Sequence, residues 1–333
     1  MLDRPREADS TPPIWFRTAL AVIVGAFSGA LLLRQPAPPG YEAADLTPIL
    51  GAARMVLGGR SPYDGPTMLY PLPGVLSVTP FALLPVLWAY ALWSGAAAAL
   101  LTWAAVGRHG VHGLAIVLSK CANRALVLAQ WSPWQFLGGL YPGWQVLAVA
   151  KPTLGLIVWC YRPTWWAFVG GAGLLALSFV LFPTWFSDWI GHGRAATAYA
   201  PAAAIWQGGG PLLLLAALRW RQPEARLLLA MAFVPHNFIW YDQLLLFLIP
   251  ATAIQLWLLS ALSWLSGAVA DFYFARAGIP EPEGQLAFRA PIVGLMYLPC
   301  LVMVLRRPNV NPTPGCVEQR ITRWVQWFRV PRP

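Results

Sequence analysis

Ionisable side chains are scarce in this chain, which holds 13 acidic residues among 333 and only two lysines, Lys120 and Lys151. A charge near an apolar run is costly, so each one is a candidate for function. Asp45 and Glu42 lie in Tyr41-Glu42-Ala43-Ala44-Asp45-Leu46, just before an apolar periodic segment. A carboxylate there can take the proton of an attacking hydroxyl. Asp45 is the preferred base and Glu42 its rival; Asp45 is also a good N-cap for the segment that follows. Lys151 stands inside the apolar run Val146 to Val158 and needs a counter-charge or an anionic ligand. On the latter view Lys151→Met should leave the fold intact. His192 and Arg194 fall in Asp188-Trp-Ile-Gly-His-Gly-Arg194, where aromatic faces and a cation could hold a ligand with an apolar face and an anionic group. His236, Tyr241 and Asp242 fall in Phe233-Val-Pro-His-Asn-Phe-Ile-Trp-Tyr-Asp242, whose polar density between apolar runs argues for a cavity. Tyr63 and Tyr70 complete the candidates for substrate binding. Asp271 reads as a helix-end partner of Arg276, and Arg60 as a solvated loop charge. The His and Cys spacings match no metal site and no phosphate-binding Gly loop is present, so the reading calls for neither metal nor cofactor.

These residues must be held by a membrane protein. The chain is 58% hydrophobic and 11% charged, against about 25% charged in an average soluble domain. A soluble core of this length buries only about 75% of its surface, too little to hide so much apolar sequence. The 19 tryptophans suit the two interfaces of a bilayer. A net charge of +10 then reads as positive cytoplasmic loops facing anionic lipid, not as a nucleic-acid site. The four cysteines show no C-x-x-C spacing and read as apolar filler.

Residues 18–33 form a first span, and Arg4, Arg6 and Arg17 put the N-terminus in the cytoplasm, with 35–70 outside. Since one span needs about 20 residues, the further apolar runs give roughly 9–12 helices, several short or broken at Pro80, Pro85, Pro133, Pro142, Pro152, Pro235 and Pro250. An even number places both termini in the cytoplasm. Residues 45–58 show helical spacing (Leu46, Ile49, Leu50, Ala53, Val56, Leu57), with Gly58-Gly59 as the stop. This predicts an interfacial helix in the first external loop. The expected architecture is an all-α polytopic bundle over residues 1–315, followed by a basic amphipathic tail at 316–333 lying on the inner leaflet.

The order Asp45, Ala52-Ala53, Gly58-Gly59, Tyr63, Tyr70-Pro71-Leu72-Pro73 and Leu83-Leu84-Pro85 resembles the membrane glycosyltransferases of the GT-C class. It is most similar to the polyprenyl-phosphate-mannose-dependent group, family 87. Lys151-Pro152 leading to Tyr161-Arg162, and Pro235-His236 through Tyr241-Asp242, resemble later elements of that family. Leu72-Pro73 departs from its adjacent prolines. The resemblance implies inverting transfer of a sugar, with mannose the expected one, from a polyprenyl-phosphate donor to a lipid or glycan acceptor on the extracytoplasmic side of the cell membrane. It implies Asp45 as base and Lys151, Arg194 and His236 as donor ligands. A transporter or lipid flippase, or a non-catalytic scaffold subunit, is the rival class. Broken helices would suit a transporter, though no internal repeat supports one.

Overall fold

The computed structural model describes residues 12–34, 46–65, 68–195, 202–277 and 284–308. Among them the backbone is almost wholly helical, and extended pairing is confined to the isolated bridge between Ala202 and His236. Among the described residues four helices are long and apolar enough to cross a membrane, or five if a bent pair counts as one span. Asp45, Glu42, Cys316 and the 316–333 tail lie outside the described residues.

Helix α1 (Ile14–Arg34) packs antiparallel on α4 (Val86–His109) through small residues. A Cβ added at Gly25 would sit 2.7 Å from the Gly95 carbonyl oxygen, and one at Gly29 would sit 3.1 Å from that of Ala91. This is the small-xxx-small contact by which apolar helices approach when no water drives them together. The opposite face of α1 leaves Val22, Ile23 and Phe27 exposed, as a surface solvated by lipid would. Helix α2 (Leu46–Leu57) buries Leu46, Ile49, Leu50 and Ala53 of the face read from the spacing, and Ala52 beside them, but leaves Val56 half-buried and Leu57 exposed; it ends at Gly58-Gly59, where Gly59 takes φ +70°. Arg54 donates to the carbonyls of Ala82 (3.0 Å) and Leu84 (2.9 Å), capping α3 (Leu72–Ala82) rather than facing substrate.

Beyond α4 the apolar runs fold back repeatedly between two faces of the bundle. Gly110–Gly113, α5 (Leu114–Val117) and α6 (Lys120–Val127) return toward the start of α4, where Tyr90 donates to the Val127 carbonyl and Ser94 to that of Leu126 at 2.8 Å. Helix α7 (Ser132–Leu140) runs down beside α4 until Tyr141 meets Trp103. The tightly wound segment Pro142–Ala150 climbs again, and α8 (Pro152–Tyr161) descends to Arg108, which donates to the Tyr161 hydroxyl at 3.3 Å. Helix α9 (Trp165–Leu181) bends by 95° into α10 (Trp185–Ala195). After the 3₁₀ turn Gly210–Arg219 come α11 (Pro223–Phe233), the short winding Asp242–Leu248 and α12 (Ala253–Ala277). Helix α13 (Gly284–Ile292) passes through a π-turn at Val293–Tyr297 into α14 (Leu298–Leu305).

Broken helices free backbone groups that need partners where water is absent. Gln145 supplies them at one break, donating to the carbonyls of Gly138 (3.0 Å) and Arg162 (2.8 Å). At one face, Arg108, Arg226 and Arg307 donate to the carbonyls of Leu248, Cys160, Tyr161 and Ile249 at helix ends, where cations are favoured. Arg17 of α1 lies over Trp103 near this face, so the first and last described helices meet it together. Lys120 donates to Asp271 at 3.4 Å. That contact corrects the expected Asp271–Arg276 pair: the bundle brings a more buried cation to the carboxylate.

Candidate functional site

Lys151 is held in an extended backbone (φ −136°, ψ 84°) because the following residue is Pro152, which disfavours the helical conformation for its predecessor. The ammonium is thereby left between the climbing segment and α8. It meets Asp242 Oδ1 at 2.7 Å, faces the Tyr241 ring at 4.9 Å and lies 3.4 Å from Gln130 Oε1. The Asp242 side chain is fully buried, and that of Lys151 is 13% exposed. Asp242 Oδ2 accepts from the Asn237 backbone N–H at 3.2 Å, while Asn237 Nδ2 donates to the Tyr241 hydroxyl at 2.9 Å.

Two reversals aim these groups. Ala129 and Trp240 both occupy the left-handed region, at φ 50° and 62°, and each directly precedes a residue that meets Lys151. Such backbone costs of order 1–3 kcal/mol per residue and persists where the surroundings over-determine it, often at functional sites. Trp240 is pinned by its indole N–H, which donates to Ser266 at 2.7 Å, and by the Lys120 ammonium 4.4 Å from its ring.

The network continues inward. Gln243 donates to the Asn237 carbonyl at 3.1 Å and reaches the Tyr297 hydroxyl at 3.5 Å. His236 Nδ1 lies 2.7 Å from the Val234 carbonyl, which can only accept, so that nitrogen carries the proton. In the neutral ring Nε2 then accepts from the Tyr297 hydroxyl at 2.6 Å. Tyr297 sits in the π-turn, a distortion frequent at functional sites.

A second group forms where α10 meets the loop after α2. Tyr63 donates to the Tyr70 carbonyl at 3.1 Å and meets the His192 ring edge-on at 5.6 Å. The Met68 backbone N–H donates to His192 Nδ1 at 2.9 Å, and Trp189 donates to the Leu69 carbonyl at 2.9 Å. Burial, then the Asp188 charge, push the Tyr63 phenol above its ordinary range, so it remains a neutral donor. The two groups adjoin through backbone: a Cβ at Gly74 would lie 2.6 Å from the carbonyl oxygen of Ala150, the residue before Lys151.

Lys151, Tyr241 and Asp242 are thus brought together, with His236 linked through Asn237, Gln243 and Tyr297. Tyr63, Tyr70 and His192 form the adjoining group, and Arg194 lies exposed on α10. The chemistry available at Lys151 is that of an ammonium already neutralised by one carboxylate, with donor capacity left for an anion. Sequence reasoning missed Gln130, Asn237, Gln243 and Tyr297. Their signal was polarity inside apolar runs, which for Gln and Asn carries no charge to mark it. Among the described residues no three His, Cys, Asp or Glu side chains gather as a metal site.

No family model matches the chain, and no curated protein or solved structure matches it either.

Proposed function

We propose that this chain is a polytopic membrane glycosyltransferase of the GT-C type. It moves one sugar, mannose by the sequence resemblance, from a polyprenyl-phosphate donor to a lipid or glycan acceptor. The observation that carries the reading is the approach of Gly74 to Ala150, which brings the Tyr63–Tyr70–His192 loop to the segment bearing Lys151. An acceptor or sugar held by that loop and a phosphate held by Lys151 would share one site.

In the reaction an acceptor oxygen bonds to the anomeric carbon as the bond from that carbon to the phosphate oxygen breaks. The acceptor proton passes to a carboxylate, assigned to Asp45, one residue before α2. The bonding electrons leave on the phosphate, whose growing charge Lys151 offsets while Asp242 holds the ammonium in place. His236 and Tyr297 support the Asp242 loop from behind. Arg194, exposed on α10, would meet a donor phosphate only at the approach to the site.

The arginine-rich face is assigned to the cytoplasm by the positive-inside rule. Both chain ends then lie in the cytoplasm, and α2, α10 and the Tyr63 loop lie outside.

Incorporation of radiolabelled sugar from polyprenyl-phosphate-mannose by the purified protein tests the reading. A second reading, a transporter, is favoured by one feature, a buried lysine–aspartate pair beside broken helices. It predicts movement of a lipid or solute across vesicles with no covalent transfer.

A further inference from the structure

The segment that delivers Gln130 to Lys151 continues into Trp131-Ser132-Pro133-Trp134. The Trp131 and Trp134 rings both pack on Trp93, with centroids 4.9 Å away in each case and planes inclined by 79° and 49°. The three indoles are 1–8% exposed and Ser132 is fully buried. Yet the indole N–H groups of Trp93, Trp131 and Trp134 and the Ser132 hydroxyl are all without a hydrogen-bond partner. Trp189 donates to Leu69, Trp240 to Ser266 and Trp264 to Leu118, while the indole N–H groups of Trp159 and Trp185 are unmet singly, away from this cluster. Leaving a buried donor unmet costs about 1–3 kcal/mol each, so four together in one place call for an absent partner rich in acceptors.

We infer that Trp93, Trp131, Trp134 and Ser132 form a saccharide-binding subsite. A saccharide offers several hydroxyl acceptors to the four donors and apolar C–H faces to the inclined rings. A phosphate fits poorly because the cluster holds no cation, and a hydrocarbon chain would leave every donor unmet. Trp144 meets the Trp134 ring at 5.8 Å, inclined by 38°, and itself lines an apolar groove of about 590 Å³ with Leu137 and Tyr141, so that groove comes within one ring of the cluster. The occupant rests on the glycosyl-transfer reading only for what the saccharide is joined to: the donor sugar or a glycan acceptor.

The test uses the full-length protein in lipid nanodiscs, with methyl α-mannoside, methyl α-glucoside and methyl α-galactoside as probes. Binding is followed by saturation-transfer NMR and by the shift in melting temperature. At least one glycoside should bind saturably. Trp131→Phe keeps most of the ring and loses the donor, and Ser132→Ala loses the hydroxyl. Each should weaken binding about tenfold, or ~1.4 kcal/mol. Trp159→Phe removes another unpartnered indole N–H outside the cluster and should leave binding unchanged. Without glycoside, Ser132→Ala should melt no lower than the parent, since it removes an unmet donor. Ser132→Ala therefore remains informative if Trp131→Phe does not fold. Absence of saturable binding, or equal binding by both variants, overturns the subsite. Glycoside binding without transfer from a lipid-phosphate donor would keep the subsite and remove the enzyme. Transfer undiminished in both variants would do the reverse.

Discussion

Lys151→Met separates an ammonium that serves a substrate from one that serves only the fold. At an effective dielectric of about 20, charges 2.7 Å apart attract by about 6 kcal/mol. Desolvating each ion costs several kcal/mol, so the intact pair is not a large net stabiliser, but removing one partner strands the other and costs about 3–5 kcal/mol. Against a typical total of about 5–15 kcal/mol this is severe. It corrects the expectation that Lys151→Met leaves the fold intact: Asp242, with no exposed side-chain surface, depends on that ammonium. Lys151→Met with Asp242→Asn removes both charges, and the coupling in the double-mutant cycle should recover most of the lost stability. Melting temperature in detergent and single-turnover transfer from polyprenyl-phosphate-mannose are to be measured on the single and double variants. If Lys151 offsets phosphate charge, the refolded double variant stays at least about a hundredfold slow, as loss of a transition-state donor requires. Recovery of both stability and transfer would refute the phosphate assignment and leave the pair structural.

Asp45→Asn exchanges one residue type for another equally good at a helix N-cap and should slow turnover by about a hundred- to ten-thousandfold with donor binding retained; near-normal turnover alongside an inactive Glu42→Gln would move the base to Glu42. A cysteine at Ser61 should react with a membrane-impermeant thiol reagent in intact cells and one at Ser10 should not; the opposite pattern reverses the orientation. Ala129→Gly should hold or raise the melting temperature, because Ala129 is left-handed and that conformation costs a non-glycine residue roughly 1–2 kcal/mol. Ala125→Gly inside α6 should lower it, by about 1 kcal/mol of stability. A lower melting point for Ala129→Gly would show that the reversal is not strained.

Periodicity made α2 legible, and the buried face of its first two turns with it, but it carried that face on through Val56 and Leu57, where the last turn leaves the bundle. The first long apolar helix was legible because length and hydropathy alone decide it, though it starts four residues earlier, at Ile14, than the expected 18–33. The long run 125–161 was not resolved into its legs: prolines mark where a helix can break, but not whether the chain reverses or merely kinks. The reversals depend on Ala129 and Trp240, residue types that give no hint of a left-handed backbone. Lys151 stood out as a charge in apolar sequence, and Asp242 as part of a polar knot. Their pairing across 91 positions had no local signal. Nor did that of Lys120 with Asp271, where Arg276 was the nearer cation in sequence. The packing of α1 on α4 was readable in principle, since Gly25-x-x-x-Gly29 meets Ala91-x-x-x-Gly95.

Helix α8 acts as a ruler. Its ten residues rise about 15 Å from Lys151 to the layer where Arg108 meets Tyr161, half of a hydrocarbon core about 30 Å thick. On the proposed orientation, with the Arg108–Tyr161 layer at the cytoplasmic edge of that core, the ammonium would lie about halfway across it, below the level at which lipid phosphates ordinarily lie. A headgroup that reaches it is drawn down out of the interface, and its chain is displaced sideways with it. On the glycosyl-transfer reading, water admitted along that descent would compete with the acceptor for the sugar, so the ratio of hydrolysis to transfer would report how dry the descent is kept.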